Sequence, residues 1–183
     1  MRGMRWLAAA LAALFLVLSG CSSERGLAPP SGPYKVAEVF DGDSFNLIAA
    51  NQQIVRVRIA GIDAPEKRQP YSNKAKESLE SLLMSGAITL TPVKVDRFER
   101  WVAHVSVNQE DVGLVQIQRG YAWFFTRYQQ DLDDRRKSDY ARAEEQARRD
   151  GLGLWAGIAA SAKNPALAPE PPWKFRERMK KEK

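Results

Sequence analysis

The chain has 183 residues, 44% of them hydrophobic, and a formal net charge of +6; this length suits one folded domain with tails. Its single cysteine excludes an intramolecular disulfide and a zinc site ligated by cysteines. Two arginines at the amino terminus and a tail with six basic and three acidic side chains carry most of the positive charge, which leaves +1 for the remainder. The basic balance is therefore no indication, by itself, of a nucleic-acid-binding surface on the domain.

The amino terminus has the pattern of a secretory signal. Residues 1–5 are basic, and residues 6–18 form an apolar, uncharged run that is shorter than the about 20 residues of a membrane-spanning helix. The small residues before Cys21 resemble the bacterial lipobox, in which cleavage leaves a lipid-modified cysteine at the start of the mature protein. We therefore predict a lipoprotein signal peptide over residues 1–20 and a lipid anchor on Cys21. The alternative is a conventional cleavage site with an incidental cysteine.

The predicted anchor places the protein in the bacterial cell envelope, with the membrane as a partner. In a host with two membranes, Ser22 after the cysteine resembles outer-membrane sorting, so we expect the outer membrane or the periplasmic face. Residues 21–33 are rich in Ser, Gly and Pro, which predicts a flexible tether between the anchor and the domain.

Between the tails, the periodicity of the apolar residues changes in an ordered way. Alternation predicts five strands, at residues 34–40, 44–49, 54–59, 87–95 and 101–107. Helical spacing and end signals predict helices over 70–85, from the Asp111 cap to 119, and over 133–149. Five short strands with a helix after the third are consistent with a small closed barrel of the oligonucleotide/oligosaccharide-binding (OB) type. We therefore predict one α+β, mainly β domain over residues 34–157, a five-stranded OB-fold barrel with about three helices.

Residues 158–183 form a Pro-rich and then basic tail. Two interpretations of this tail remain open. Its lysines and arginines could bind phosphates or anionic lipid, or the segment could be a solvated chain end.

Acidic and basic side chains recur in three short motifs, D-G-D-S at 41–44, R-I-A-G-I-D-A-P-E at 58–66 and D-R-F-E-R at 96–100. Their carboxylate oxygens suit Ca²⁺ or Mg²⁺, whereas the near absence of His and Cys disfavours zinc and softer metals. Attack of water on a phosphodiester builds negative charge, which a metal ion and two guanidinium groups can stabilise. The set therefore indicates a divalent-metal phosphodiesterase, with five candidate side chains: Asp43, Arg58, Asp63, Glu66 and Arg100.

These motifs are followed by G-Y-A-W at 120–123 and G-L-G-L-W at 151–155. In this order and at these spacings they resemble the staphylococcal nuclease (thermonuclease) family, from about residue 34 to residue 157. The resemblance implies an OB-fold barrel and Ca²⁺-dependent, sugar-nonspecific endonuclease activity that hydrolyses DNA and RNA and leaves 3′-phosphate ends. We expect single strands as the substrates, because a small barrel cleft admits an unstacked chain more readily than a duplex, and we expect a monomer.

The resemblance also implies a role for each matched position. Asp43 and Asp63 would ligate one Ca²⁺ ion, together with the main-chain carbonyl of Ala64. Glu66 would act as the general base, and the two phosphate-binding side chains would be Arg58 and Arg100.

Two tyrosines are candidate substrate-binding residues. Aromatic faces hold single strands by stacking without sequence preference, and Tyr121 and Tyr128 are preferred over neighbouring aromatic residues because a phenol tolerates water at one end. The chain departs from the family pattern most clearly at Glu99, where a glycine commonly precedes the second arginine. If this turn needs a positive φ, glutamate strains it.

Each motif also has a purely structural interpretation. The Asp41-Gly42-Asp43 run is typical of a hairpin turn, residues 63–66 have the pattern of a helix-capping box, and Arg100 could be a loop charge. These interpretations do not explain why the motifs occur together, so we favour an active site. The alternatives are a non-catalytic OB-fold nucleic-acid-binding module and a lipoprotein whose barrel is an interaction scaffold.

Overall fold

A computed structural model describes residues 28–157 and 169–182. Its strands are β1 (Lys35–Val39), β2 (Ser44–Ile48), β3 (Ile54–Ile59), β4 (Ile62–Asp63), β5 (Ile88–Val95), β6 (Trp101–Val107), β7 (Glu110–Asp111) and β8 (Trp123–Phe124). Its α-helices are α1 (Ser72–Leu83), α2 (Val112–Gln118), α3 (Asp134–Arg149) and α4 (Pro172–Lys181). Two 3₁₀ segments, Thr126–Asp131 and Gly153–Gly157, flank α3. The predicted strands and helices are thus all present, with ends shifted by at most two residues.

The main sheet has the strand order β1-β2-β3-β6-β5, with β7 added beside β6, and β4 pairs with β8 in a separate two-stranded sheet. Strands β3 and β6 are parallel, and the other pairs are antiparallel. The predicted α+β class and OB-type arrangement are confirmed. The predicted closure of the barrel is wrong, because β1 and β5 end the sheet and no pairing joins them within residues 28–157.

Both terminal strands carry features that oppose closure. Strand β1 has a bulge between Val36 and Glu38, and β5 has one between Pro92 and Lys94. Proline has no N–H to donate to another strand, and bulges twist an edge away from further pairing. Every residue of β5 is at least partly exposed. The sheet therefore stays open at this side.

The core lies between the sheet and the first three helices. Its most buried members come from several elements, and each is at most 1% exposed: Phe45 and Leu47 of β2, Val57 of β3, Leu79 of α1 and Ile117 of α2. Burial of one such side chain contributes roughly 1.5–3 kcal/mol to folding. Because strand side chains alternate between faces, the burial of Val57 directs the neighbouring Arg58 away from this core.

Asp111 caps α2 as predicted, and Asp133 caps α3. The Asp111 carboxylate accepts from the backbone N–H of Leu114 at 3.0 Å, and that of Asp133 accepts from Arg136 at 2.8 Å. The capping-box interpretation of residues 63–66 is wrong, because Asp63 ends β4 and the next helix begins only at Ser72.

Helix α4 was not predicted, since the tail sequence is short and rich in proline. Proline at the first helical turn and basic side chains in the last turn stabilise this helix. Its Trp173 packs against a second apolar cluster formed by Trp123, Ala147, Leu154 and Trp155. The described part of the tail is thus docked on the domain rather than solvated.

The predicted signal peptide and Cys21 lie outside the described residues. In the part of the chain that the structure describes, no helix combines the length and the apolar character needed to cross a membrane.

Candidate active site

The two carboxylates of the D-G-D turn between β1 and β2 have different roles. One oxygen of Asp41 accepts from the backbone N–H of Asp43 at 3.0 Å, and from the N–H and the hydroxyl of Ser44 at 2.7 Å each. Asp41 therefore holds the turn, as the structural interpretation of the motif expects. Asp43 is 1% exposed and points into the domain.

Gly42 is required by close packing rather than by its φ angle. A Cβ at this position would lie 2.6 Å from Cβ of Ala75 in α1 and 2.8 Å from Cβ of Ala64. Contacts this short force the backbone to move. The glycine thus lets the turn approach both the helix and the segment that follows Asp63.

Asp43, Arg58 and Asp63 form a buried charge cluster. Nη1 of Arg58 pairs with Oδ1 of Asp43, and Nη2 donates to Oδ1 of Asp63 at 3.0 Å and to the carbonyl of Ile62 at 3.1 Å. Oδ2 of Asp43 accepts from the backbone N–H of Ala64 at 2.6 Å. Both aspartates are 1% exposed. The three predicted side chains are therefore brought together.

Burial raises the pKa of Asp43 well above its usual value, and the Arg58 guanidinium opposes this shift. Burial also acts to lower the pKa of Arg58, but the charges of Asp43 and Asp63 outweigh it and raise this pKa. Charge is poorly solvated inside the protein, so burial disfavours the ionised form of both groups, and only for Arg58 do the neighbouring charges outweigh it. The two acids thus depend on positive charge held next to them.

Strand register explains why these residues meet. Ser44 lies opposite Arg58 in the β2–β3 ladder, so the preceding Asp43 sits beside the arginine. Asp63 pairs with Trp123 in the β4–β8 ladder. Gly61, at φ +75°, turns the chain between β3 and β4, where a Cβ would lie 2.6 Å from the Leu132 side chain.

Glu66 lies at the edge of the cluster and is 36% exposed in its side chain. Its backbone N–H donates to Oε1 of Gln69 at 2.9 Å, and its carboxylate accepts from Nη1 of Arg176 at 2.6 Å. A carboxylate in this position has access to water, unlike the two buried aspartates.

Arg176 of α4 is a site residue that the sequence analysis missed. Its Nη2 donates to Oδ2 of Asp63 at 2.8 Å, and its Nη1 donates to Oδ1 at 3.2 Å. The only sequence signal is a tryptophan three residues earlier, at Trp173, which places an anchor and a cation on the same side of a helix.

Arg100 is held elsewhere in the described structure. Its Nε and Nη2 donate to Oδ2 of Asp96 at 2.9 and 2.7 Å, and it lines a pocket together with Ser44 and Arg56. Within the described residues, no hydrogen bond or ion pair joins it to the buried acids. Glu99 has φ +60°, so this turn does require the left-handed conformation. The phosphate-binding role of Arg100 stays a prediction.

The two predicted tyrosines differ in exposure. Tyr121 is partly buried, whereas Tyr128 is 45% exposed. The Tyr128 ring packs edge-on against Phe125 at 5.1 Å between centroids, and Nζ of Lys94 lies 5.2 Å from its centre. Tyr128 therefore offers an aromatic face beside a cation, and the stacking role of both tyrosines stays a prediction.

The carboxylate oxygens of the cluster are the type of ligand that a hard divalent cation binds. No group of three or more His, Cys, Asp or Glu side chains is arranged as a metal cage within residues 28–157 and 169–182, because Asp43, Asp63 and Glu66 are turned toward arginines. If Arg176 left, the three carboxylates of the site would have one positively charged neighbour, Arg58, among the described residues. The two uncompensated negative charges would match the charge of a divalent ion.

Gln116 is a second residue that the sequence analysis missed. It is fully buried in α2, and its Nε2 donates to the carbonyl of Gly42 at 2.8 Å and to that of Ala75 at 2.9 Å. The side chain thus ties the D-G-D turn to α1 and α2. A glutamine within the apolar run V-G-L-V-Q-I-Q was the available signal.

Comparison with known proteins gives a consistent result. A family model described as staphylococcal nuclease homologue matches residues 56–157. The "Uncharacterized endonuclease" of Haemophilus influenzae is 32% identical over 143 residues, which cover 78% of this chain and 74% of that protein. The "Micrococcal nuclease" of Shigella flexneri is 30% identical over 155 residues, 80% and 81% of the two chains. "Protein ParB" of Escherichia coli is 29% identical over 178 residues, 92% and 88% of the two chains.

The fold and the family model together define the class of this protein as a hydrolytic endonuclease. The chain belongs to the staphylococcal nuclease family. The matched region contains Arg58, Asp63, Glu66 and Arg100, so the predicted resemblance is confirmed. Asp43 precedes the matched region by thirteen residues, and Arg176 follows it.

We expect Gln116→Met to lower the free energy of unfolding by about 1–3 kcal/mol, because it leaves the buried carbonyl of Gly42 without a donor and removes a second bond to the carbonyl of Ala75. Urea denaturation followed by circular dichroism measures this change. Gln118→Met is the matched control: Gln118 is exposed on the same helix, and a change of less than about 0.5 kcal/mol is expected there. Equal stability of the two variants would show that the turn does not depend on Gln116.

Proposed function

We propose that this protein is a Ca²⁺-dependent, sugar-nonspecific endonuclease that hydrolyses phosphodiester bonds of single-stranded DNA and RNA at the cell envelope. The observation that carries the proposal is the buried pair of Asp43 and Asp63 around Arg58, with Glu66 at its solvent-facing edge. The broader statement, that the chain is an endonuclease with nucleic acid as its substrate, rests on its family.

The charge of the cluster supports a metal-dependent reaction. In the described geometry the donors of Arg58 are committed to Asp43 and Asp63. A divalent ion held by these two aspartates and the Ala64 carbonyl would stabilise the charge that develops on the phosphate. Compensation of the acids by such an ion would free Arg58 for the phosphate oxygens, which its planar fork can bind in pairs.

Glu66 is positioned to accept the proton of the attacking water. Its carboxylate is partly exposed, and its loop is fixed by the bond from its backbone N–H to Gln69. In the proposed reaction Glu66 orients a water molecule and accepts its proton while the water oxygen attacks phosphorus. The bond from phosphorus to the 5′ oxygen breaks, and the phosphate remains on the 3′ end.

Single strands are the proposed substrates because an exposed aromatic side chain lies beside a basic one. Tyr128 and Lys94 form one such pair, and stacking on an aromatic face needs an unpaired base. A non-catalytic nucleic-acid-binding module is less consistent with the structure, since the three carboxylates of the site outnumber its two arginines and would repel a phosphate chain.

The first prediction concerns the metal. We expect the full chain, purified in mild detergent, to degrade single-stranded DNA and RNA in millimolar Ca²⁺ and to cleave duplex DNA more slowly. An excess of chelator should abolish cleavage, because without Ca²⁺ the acids of the site have no divalent ion to attract the phosphate. Added Ca²⁺ should restore cleavage. Gel analysis of end-labelled substrates measures this, with Mg²⁺ as a parallel condition. Cleavage that persists in chelator would contradict the proposal.

The second prediction concerns the general base. Glu66→Gln should lower turnover at least about a hundredfold, because glutamine cannot accept the proton, and should leave the unfolding temperature nearly unchanged. Steady-state kinetics and thermal denaturation measure the two effects. Glu77→Gln is the matched control, since Glu77 is exposed on α1 and pairs with Lys74 on the same helix.

A folded Glu66→Gln variant with near-full turnover would refute the general-base role. Arg58→Lys should also reduce turnover, because lysine keeps the charge but loses the two-pronged geometry of the guanidinium.

The third prediction concerns the anchor. We propose that Cys21 carries lipid and retains the protein at the membrane, because two or three acyl chains contribute about 0.8 kcal/mol for each buried methylene. Cys21→Ser should leave the domain folded and release the processed form into the soluble fraction at high salt. Mass spectrometry of the amino terminus identifies processed protein and separates it from protein with an uncleaved signal. Processed Cys21→Ser protein that still sediments with membranes at high salt would contradict the anchor.

A further inference from the structure

Helix α4 is fastened beside the candidate active site by two contacts that do not involve charge. Gln69 donates from Nε2 to the carbonyl of Glu170 at 2.7 Å, just before the helix. The ring of Trp173 stacks on Phe125 with 5.1 Å between centroids and 19° between planes. These contacts set the helix at the edge of the site. Gln69 also binds the Glu66 backbone, so one side chain connects the tail to the loop of the proposed base.

The third contact joins the guanidinium group of Arg176 to the acidic residues of the site. Both terminal nitrogens of Arg176 bind Asp63, at 2.8 and 3.2 Å, and one of them also binds Glu66 at 2.6 Å. The guanidinium therefore occupies oxygen atoms that the proposed reaction assigns to a cation and to a water molecule. It supplies a permanent positive charge in the place of a divalent ion.

We propose that α4 is an intramolecular plug, in which Arg176 mimics the divalent cation and keeps the nuclease closed until a cation and an anionic substrate displace it. This inference rests on the proposed function. It adds a regulatory segment of this chain that lies beyond the region matched by the family model.

The contacts of α4 suit reversible closure. The side chains of Arg176 and Glu66 are 39% and 36% exposed, and an ion pair in contact with water is weak enough to exchange. Asp63 is 1% exposed, but it keeps its bond to Arg58 when Arg176 leaves. A divalent ion and Arg176 repel each other at the same carboxylates, so binding of the ion favours departure of the helix. If only the open state binds the ion, its apparent affinity falls in proportion to the open fraction.

A structural cap and a plug differ in their effect on the site. A cap would protect the domain but would leave the affinity for cations unchanged. A third phosphate-binding arginine would assist the substrate, so its loss would weaken cleavage at saturating metal. A plug alone predicts that loosening the helix improves cation binding, whether the charge or the aromatic anchor is removed.

Three single variants of the full chain test these alternatives by calorimetric titration with Ca²⁺. Arg176→Ala removes the cation mimic, and Trp173→Ala removes the stack on Phe125 while it keeps the arginine. Lys180→Ala is the matched control, because Lys180 is an exposed cation on the same helix. We expect the first two variants to bind Ca²⁺ at least about tenfold more tightly than the parent chain, whereas Lys180→Ala should bind it within about twofold of the parent.

Amide hydrogen exchange tests the movement of the helix without any measurement of activity. Residues 172–181 of metal-free Arg176→Ala should exchange at least about tenfold faster than those of the parent chain and of Lys180→Ala. Saturating Ca²⁺ should increase exchange of the same residues in the parent chain. Exchange in β3 and β6 should stay unchanged, which controls for loss of the fold.

Any of the following results would overturn the plug. Unchanged Ca²⁺ affinity in Arg176→Ala would leave α4 as a structural cap, and tighter binding in Arg176→Ala without any gain in Trp173→Ala would reduce the effect to local charge. Lower turnover of Arg176→Ala at saturating Ca²⁺ would make Arg176 a substrate-binding residue. Equal Ca²⁺ binding in all variants contradicts this inference only. If no variant binds Ca²⁺, the proposed cofactor is also wrong.

Discussion

The constraint on which this site depends is the burial of two aspartates beside each other. Asp43 and Asp63 are each 1% exposed, and carboxylates taken out of water must be paired with positive charge. Arg58 supplies that charge from the neighbouring strand. Packing at Gly42 and the side-chain amide of Gln116 then fix the D-G-D turn. Much of the local structure therefore serves to keep the buried carboxylates next to Arg58.

Alternation of apolar residues was sufficient to place β3 and β6 and to indicate an OB-type fold, and Asp111 marked the start of α2. The sequence pattern could not show that the sheet stays open, because pairing between the first and last strands depends on twist and bulges that a linear pattern does not encode. Helix α4 was missed for a related reason. Its local end signals are too weak for a helix of this length to form alone, and it also depends on contact of Trp173 with an apolar cluster of the domain.

For the site, the sequence motifs identified Asp43, Arg58, Asp63 and Glu66, which the structure brings together. It does not bring Arg100 to them, since Asp96 holds that side chain. Gln116 and Arg176 were missed because neither lies in a motif. One is a polar residue whose role depends on which carbonyls the fold places around it, and the other reaches the site only through the docking of the tail.

The separation of the site's contacts along the chain determines the order in which they can form. Arg58 and Asp43 are 15 residues apart, and Ala64 and Asp43 are 21 apart, whereas Arg176 and Asp63 are 113 apart. Because a chain is synthesised from its amino terminus, residues 43–66 are made well before residue 176. Arg176 is therefore the last member of the cluster to be synthesised, and its contacts with Asp63 and Glu66 can form only after every other residue of the site is present.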